Sequence, residues 1–131
     1  MRQVMRALPV LMALAVPTAL LAADQIVKLY SEGKLVTCDP AARVRDGVTY
    51  APLRAAVGAV GAHVDWNAES QTAVVCTETQ CVPIRKRQGI IVNGSLLIPV
   101  RLLGEALGRE VKWDAAARAV RVGPSRGTGL L

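Results

Sequence analysis

The chain has 131 residues, 52% of them hydrophobic, with 16 basic against 10 acidic side chains and a net charge of +6. That length supports one domain or two very small ones. One His, two Trp, two Tyr and no Phe leave too few imidazoles for a zinc or copper centre. They also leave too few aromatics for a platform that stacks single-stranded nucleic acid.

Residues 1–23 begin with Arg2 and Arg6, continue as an apolar run over 7–21 and end in Ala22 and Ala23 before Asp24. A positive start, a short apolar centre and small closing residues mark a secretory signal peptide. Pro9 and Pro17 interrupt the run, which falls short of the ~20 residues a membrane span needs. An uncleaved anchor is the alternative. Losing the leader removes Arg2 and Arg6 and leaves a net charge of +4. The expected location is secreted, periplasmic or cell-surface, with no membrane span after cleavage and no cofactor.

Residues 26–30 and 34–38 read as two strands around a turn at Ser31, Glu32 and Gly33. From Val44 the chain runs into a segment that aligns without a gap on another 47 residues later. Asp46-Gly47 and Asn93-Gly94 favour tight hairpin turns, because Asp, Asn and Gly tolerate positive φ. A short strand follows each, over 48–51 and 95–98. Pro52 and Pro99 then stand where a helix can begin. Leu53, Ala56, Val57 and Val60 keep helical spacing, as do Val100, Leu103 and Leu107. Gly61 and Gly108 end these helices of about nine residues.

Residues 62–66 and 109–113 alternate polar and apolar. This puts Val64 with Trp66, and Val111 with Trp113, on one face of a strand, expected to be the core face. Turns follow at 67–70 and 114–117, then return strands at 72–75 and 119–122. Cys76 and Cys81 bracket a four-residue loop between strand-like flanks, so a disulfide across a hairpin is expected. Cys38 is then the odd thiol, either buried or open to intermolecular pairing. The fold class is α+β: two β-turn-β-α-β-β units, about 26–75 and 76–122, each an antiparallel sheet with one short helix. Residues 24–122 form the domain, and 123–131 are expected to be a flexible tail.

Arg54 and Arg101 sit in the first turn of their helices, where a cation is unfavourable. Each is expected to pair with a nearby acid, Asp65 and Asp114 being candidates, or to cap turn carbonyls; binding of a carboxylate or phosphate is the alternative. Arg85-Lys86-Arg87 is the one dense basic cluster. It is read as a solvated strand end that guards an edge, although it could meet an anionic polymer. His63 and Asp65 lack a nucleophile placed beside them. Glu105 and Glu110 lack the paired, buried setting of glycosidase acids.

Tyr50-Ala51-Pro52-Leu53-Arg54 with Gly61-Ala62-His63-Val64-Asp65-Trp66-Asn67, and Leu97-Ile98-Pro99-Val100-Arg101 with Gly108 and Val111-Lys112-Trp113-Asp114, resemble the copper amine oxidase N-terminal-like domain, also called the stalk domain. Its pattern reads VPLR…ALGA-x-V-x-W-D, usually twice. The resemblance covers most of residues 26–122. It implies an appendage that stands away from the catalytic machinery, carries no copper and occurs mainly in exported bacterial proteins. This sequence departs from the pattern at Ala51, where Val is usual, and at Gly58 inside the first helix. The expected function is an exported, non-catalytic binding or structural module of the cell envelope that contacts protein or a cell-wall polymer. An accessory subunit docking a separate secreted enzyme is the alternative. A small thiol-dependent enzyme using Cys38 is a weaker one.

Overall fold

A computed structural model describes residues 23–125. Residues 1–22, where the leader is expected, and 126–131 of the expected tail lie outside the described residues. In chain order the elements are β1 (Gln25–Ile26), β2 (Lys28–Ser31), β3 (Lys34–Leu35), β4 (Arg43–Arg45), β5 (Val48–Pro52), α1 (Leu53–Ala59), β6 (His63–Asn67) and β7 (Thr72–Cys76). They continue with β8 (Cys81–Arg85), a 3-10 turn (Lys86–Gln88), β9 (Ile90–Val92), β10 (Ser95–Pro99), α2 (Val100–Leu107), β11 (Arg109–Asp114) and β12 (Ala119–Ser125). The class is α+β, as expected. Three sheets run β1-β4-β5-β10-β9, β11-β12-β2-β3 and β6-β7-β8.

The turn chemistry is local. Asp46 and Gly47 take φ of 52° and 80°, and Asn93 and Gly94 take 50° and 81°. Two successive positive φ angles make the two-residue turn whose twist matches paired strands, so Arg45 meets Val48 and Val92 meets Ser95. The turns after Asn67 and Asp114 run one residue further than expected, because Gln71 and Arg118 supply the left-handed residue (φ 52° at each). The Asn67 and Asp114 side chains accept hydrogen bonds from the Ser70 and Ala117 amides, each at 3.1 Å.

The helices are seven and eight residues long. Pro52 and Pro99 hold extended backbone at the N-cap, ending β5 and β10 in the same step. Gly61, at φ 76°, lets Ala62 donate to the Val57 carbonyl at 3.0 Å and Gly61 to that of Gly58 at 3.1 Å. This pair of bonds satisfies the open carbonyls of the last turn. Gly108, at φ 66°, caps α2.

The sheets do not follow the two sequence units. β5 of the first unit pairs with β10 of the second. Each outer hairpin takes its extra strand from the other unit: β7 pairs with β8, and β12 pairs with β2. The β2–β12 ladder is parallel, so the expectation of one wholly antiparallel sheet per unit is corrected. A hairpin of two short strands is marginal alone, and the exchange widens each one. β12 also continues to Ser125, which moves the start of the expected tail past 123. The early strands are shorter than expected: Val27 breaks the first, and β3 stops at Leu35. Between the layers lie Leu29, Leu53, Val57, Val75, Ile84, Ile98, Leu103 and Val120, each at most 2% exposed.

Candidate functional site

The strand alternation places Trp66 opposite Ala73, which is in turn opposite buried Ile84. In the next row Val64 is opposite Val75, which is in turn opposite Val82. Trp66 and Val64 therefore share the core-side face, and Val64 is half-buried against the core. Trp66 nonetheless keeps 42% of its surface exposed, and Trp113 keeps 45%. Their assignment as core residues is corrected. Val111, on the face of Trp113, is half-buried against the core. α1 begins at Leu53, after the Pro52 N-cap, and Leu53, Arg54 and Ala55 of its first turn line the same open space as Trp66. An indole tolerates such a border because its N–H needs water or another acceptor.

The open space is a cleft of about 650 Å³. It is lined by Leu53, Arg54 and Ala55 of α1, by Val64, Trp66 and Ala73 of β6–β7, by Ile91, Ser95 and Leu96 of β9–β10, and by Asp39 and Lys86. The β5–β10 ladder makes this possible, since it sets a hairpin of the second unit beside the helix of the first. Sequence reading found Trp66, Arg54 and Lys86 separately. It missed Asp39, Ile91 and Leu96, whose sequence signals are those of ordinary loop and strand residues.

The ion pairs expected of Arg54 and Arg101 with Asp65 or Asp114 do not form. Asp114 is taken by Arg121 at 2.9 Å, and among the described residues neither Arg54 nor Arg101 joins an ion pair. Both are exposed, where water screens the unfavourable first-turn charge. The Arg121 guanidinium and the Ala117 amide hold the Asp114 carboxyl below the usual carboxylate range. Arg121 also lies 4.6 Å over the ring of Tyr30.

A second charged cluster ties down the start of the domain. Arg45 donates twice to Asp24, at 2.8 and 2.7 Å, and Arg43 adds a bond at 3.2 Å. The Arg45 hydrogen bonds, followed by those of Arg43, hold the Asp24 carboxyl down to about 2. Arg109 donates to Glu32 at 2.7 Å and to the Gly123 carbonyl at 3.0 Å.

Cys76 and Cys81 form a disulfide across the β7–β8 hairpin. Gln80, in its loop, donates to the Glu105 and Ala106 carbonyls at 3.1 and 3.2 Å, so the loop also holds the end of α2. Cys38 is free and half-buried, and burial pushes its thiol up. Among the described residues no three of His, Cys, Asp and Glu gather as a metal site, and no helix is long and apolar enough to cross a membrane.

No curated protein and no solved structure matches the chain. A family model for the copper amine oxidase N-terminal domain matches residues 30–89 and again residues 76–127. The matched stretches run from Tyr30 in β2 past the end of β12 and include both Pro-led helices and both Trp strands, and the chain therefore belongs to the copper amine oxidase N-terminal domain family.

Proposed function

We propose that this chain is an exported, non-catalytic binding module of the cell envelope that uses the Trp66 cleft to hold a wall polymer. One observation carries the reading: a half-exposed indole lines an open cleft together with Arg54, which joins no ion pair among the described residues. Trp113 is as exposed but does not line this cleft, so the cleft rather than the exposure alone sets Trp66 apart. The family supports the absence of catalysis, because the N-terminal domain of copper amine oxidase is a non-catalytic module. Cys38 adds to that support, since its burial disfavours the thiolate a nucleophile requires. The disulfide supports export, because such bonds persist in oxidising compartments.

Co-sedimentation of the purified chain with isolated cell-wall sacculi tests the reading. Retention that falls when Trp66→Ala is introduced is the expected result. Retention by one separately encoded enzyme, with no binding to sacculi, would replace the module with an accessory subunit. Rapid alkylation of native Cys38 at neutral pH would revive the thiol enzyme.

A further inference from the structure

The cleft beside Trp66 does not end at its own rim. A second depression of about 450 Å³ shares Lys86 and Ile91 with it and continues past Gln71, Arg85 and Arg87. The two together form an open track across the junction of the sequence units. Its cations are Arg54, Arg85, Lys86 and Arg87, and its one acid is Asp39. All four cations are exposed.

Arg43, Arg45, Arg109, Lys112 and Arg121 join ion pairs. Among the described residues none of the four track cations does, and neither do Lys28, Lys34, Arg101 and Arg118 outside the track; what sets the four apart is that they line one concave strip. The Lys86 ammonium donates to the neutral Gln71 side-chain carbonyl, at 3.4 Å. Unpaired cations gathered along a concave strip raise the local concentration of anions. This goes beyond the edge-guard role expected for the basic triplet, because a guard requires neither the concavity nor the indole.

The remaining lining narrows the anion. Trp66 brings an indole to the lining and Ser70 and Ser95 bring hydroxyls, while the Gln71 amide already donates to the Ala68 carbonyl at 2.9 Å. A pyranose ring has an apolar C–H face for the indole and hydroxyls for those groups. A single-stranded nucleic acid would need successive stacking partners, and the track has one aromatic. Building on the module reading above, we propose that the track binds an acidic polysaccharide. One ring stacks on Trp66, and the acid groups along the chain meet Arg54, Lys86 and Arg87.

Tryptophan fluorescence of the Trp113→Phe chain, in which Trp66 is the remaining indole, tests this. The probes are polygalacturonate, its carboxyl-reduced neutral counterpart and poly-glutamate. Polygalacturonate is expected to shift the emission and to bind at least tenfold more tightly than the neutral polymer. Trp66→Ala, followed by sedimentation, and the paired Arg54→Gln and Lys86→Gln changes should each weaken binding at least tenfold. The paired changes lie on exposed side chains and leave the fold intact, which thermal melting checks. Equal Trp66-dependent binding of poly-glutamate would assign the track to an acidic protein and overturn the proposal. Binding indifferent to Trp66→Ala would reduce it to unspecific charge attraction and overturn it as well. Failure of every polyanion, with sacculus binding retained, would overturn the acidic-polysaccharide assignment alone and leave the module reading standing.

Discussion

The two outer hairpins, β6–β7 and β11–β12, follow one strand pattern but are completed in different ways. β7 continues through a four-residue loop into β8, and the Cys76–Cys81 disulfide closes that step. β12 instead takes β2, far away in sequence and parallel to it. Polar contacts secure that junction: Arg109 with Glu32, Arg118 with Gln25 and Arg121 over Tyr30. A covalent link suits strands that are neighbours in sequence, because the cysteines meet as soon as the hairpin forms. A distant strand has no such proximity in the unfolded chain, and side chains must recognise it after the chain has closed a long loop.

The helices differ in the same spirit. Val57 is a buried contact of α1, while the residue 47 positions later is Gly104. A methyl there would lie 2.9 Å from both the Arg109 carbonyl and Val111 Cγ2. Thus α2 lies closely against β11, and α1 keeps side-chain thickness at the matching position. Gly58 of α1, by contrast, is exposed, and a methyl added there would meet nothing within 4 Å.

The contrast can be broken most strongly at Gly104. Gly104→Ala should cost about 3 kcal/mol in chemical denaturation, because rigid backbone blocks relaxation; a cost under about 1 kcal/mol would mean that α2 can move off β11. Replacing both Cys76 and Cys81 by Ser should cost about 2 kcal/mol, the entropy of a short closed loop. Arg109→Met should cost roughly 1 kcal/mol for a lost charge-assisted hydrogen-bond pair at a partly exposed site, and salt should weaken the wild type toward it. Gly58→Ala should instead stabilise by about 0.5–1 kcal/mol through helix propensity.

The smallest effect is on pH dependence. The folded Asp24 carboxyl titrates at about 2, below its unfolded value of about 4. Its contribution is therefore present above about pH 4 and is lost as pH falls toward 2. Side-chain carboxyl NMR of wild type and Arg45→Gln should show the Asp24 midpoint rising toward 4 in the variant.

Pairs such as Asn93-Gly94, Pro99 and Gly108 carry their instructions in their own backbones. Positive φ, a missing amide hydrogen and a left-handed cap are properties of one or two residues, so turns, helix starts and helix stops were legible. The alternation that put Trp66 and Val64 on one face was legible for the same reason. The exposure of that face at Trp66 was not, because it depends on how far elements distant in sequence cover β6.

Nor could spacing show that Arg121 would take Asp114 and leave Arg101 unpaired, since that choice rests on which strand lies alongside. The element order, the disulfide partners and the family are written in short stretches whose physics is local. The exchange of β2 and β8 between units, the cleft joining α1 to β9–β10 and the unpaired cations along it come from contacts distant in sequence. Local preferences cannot rank such contacts, because they take shape only once the sheets pack and decide which surfaces remain in water.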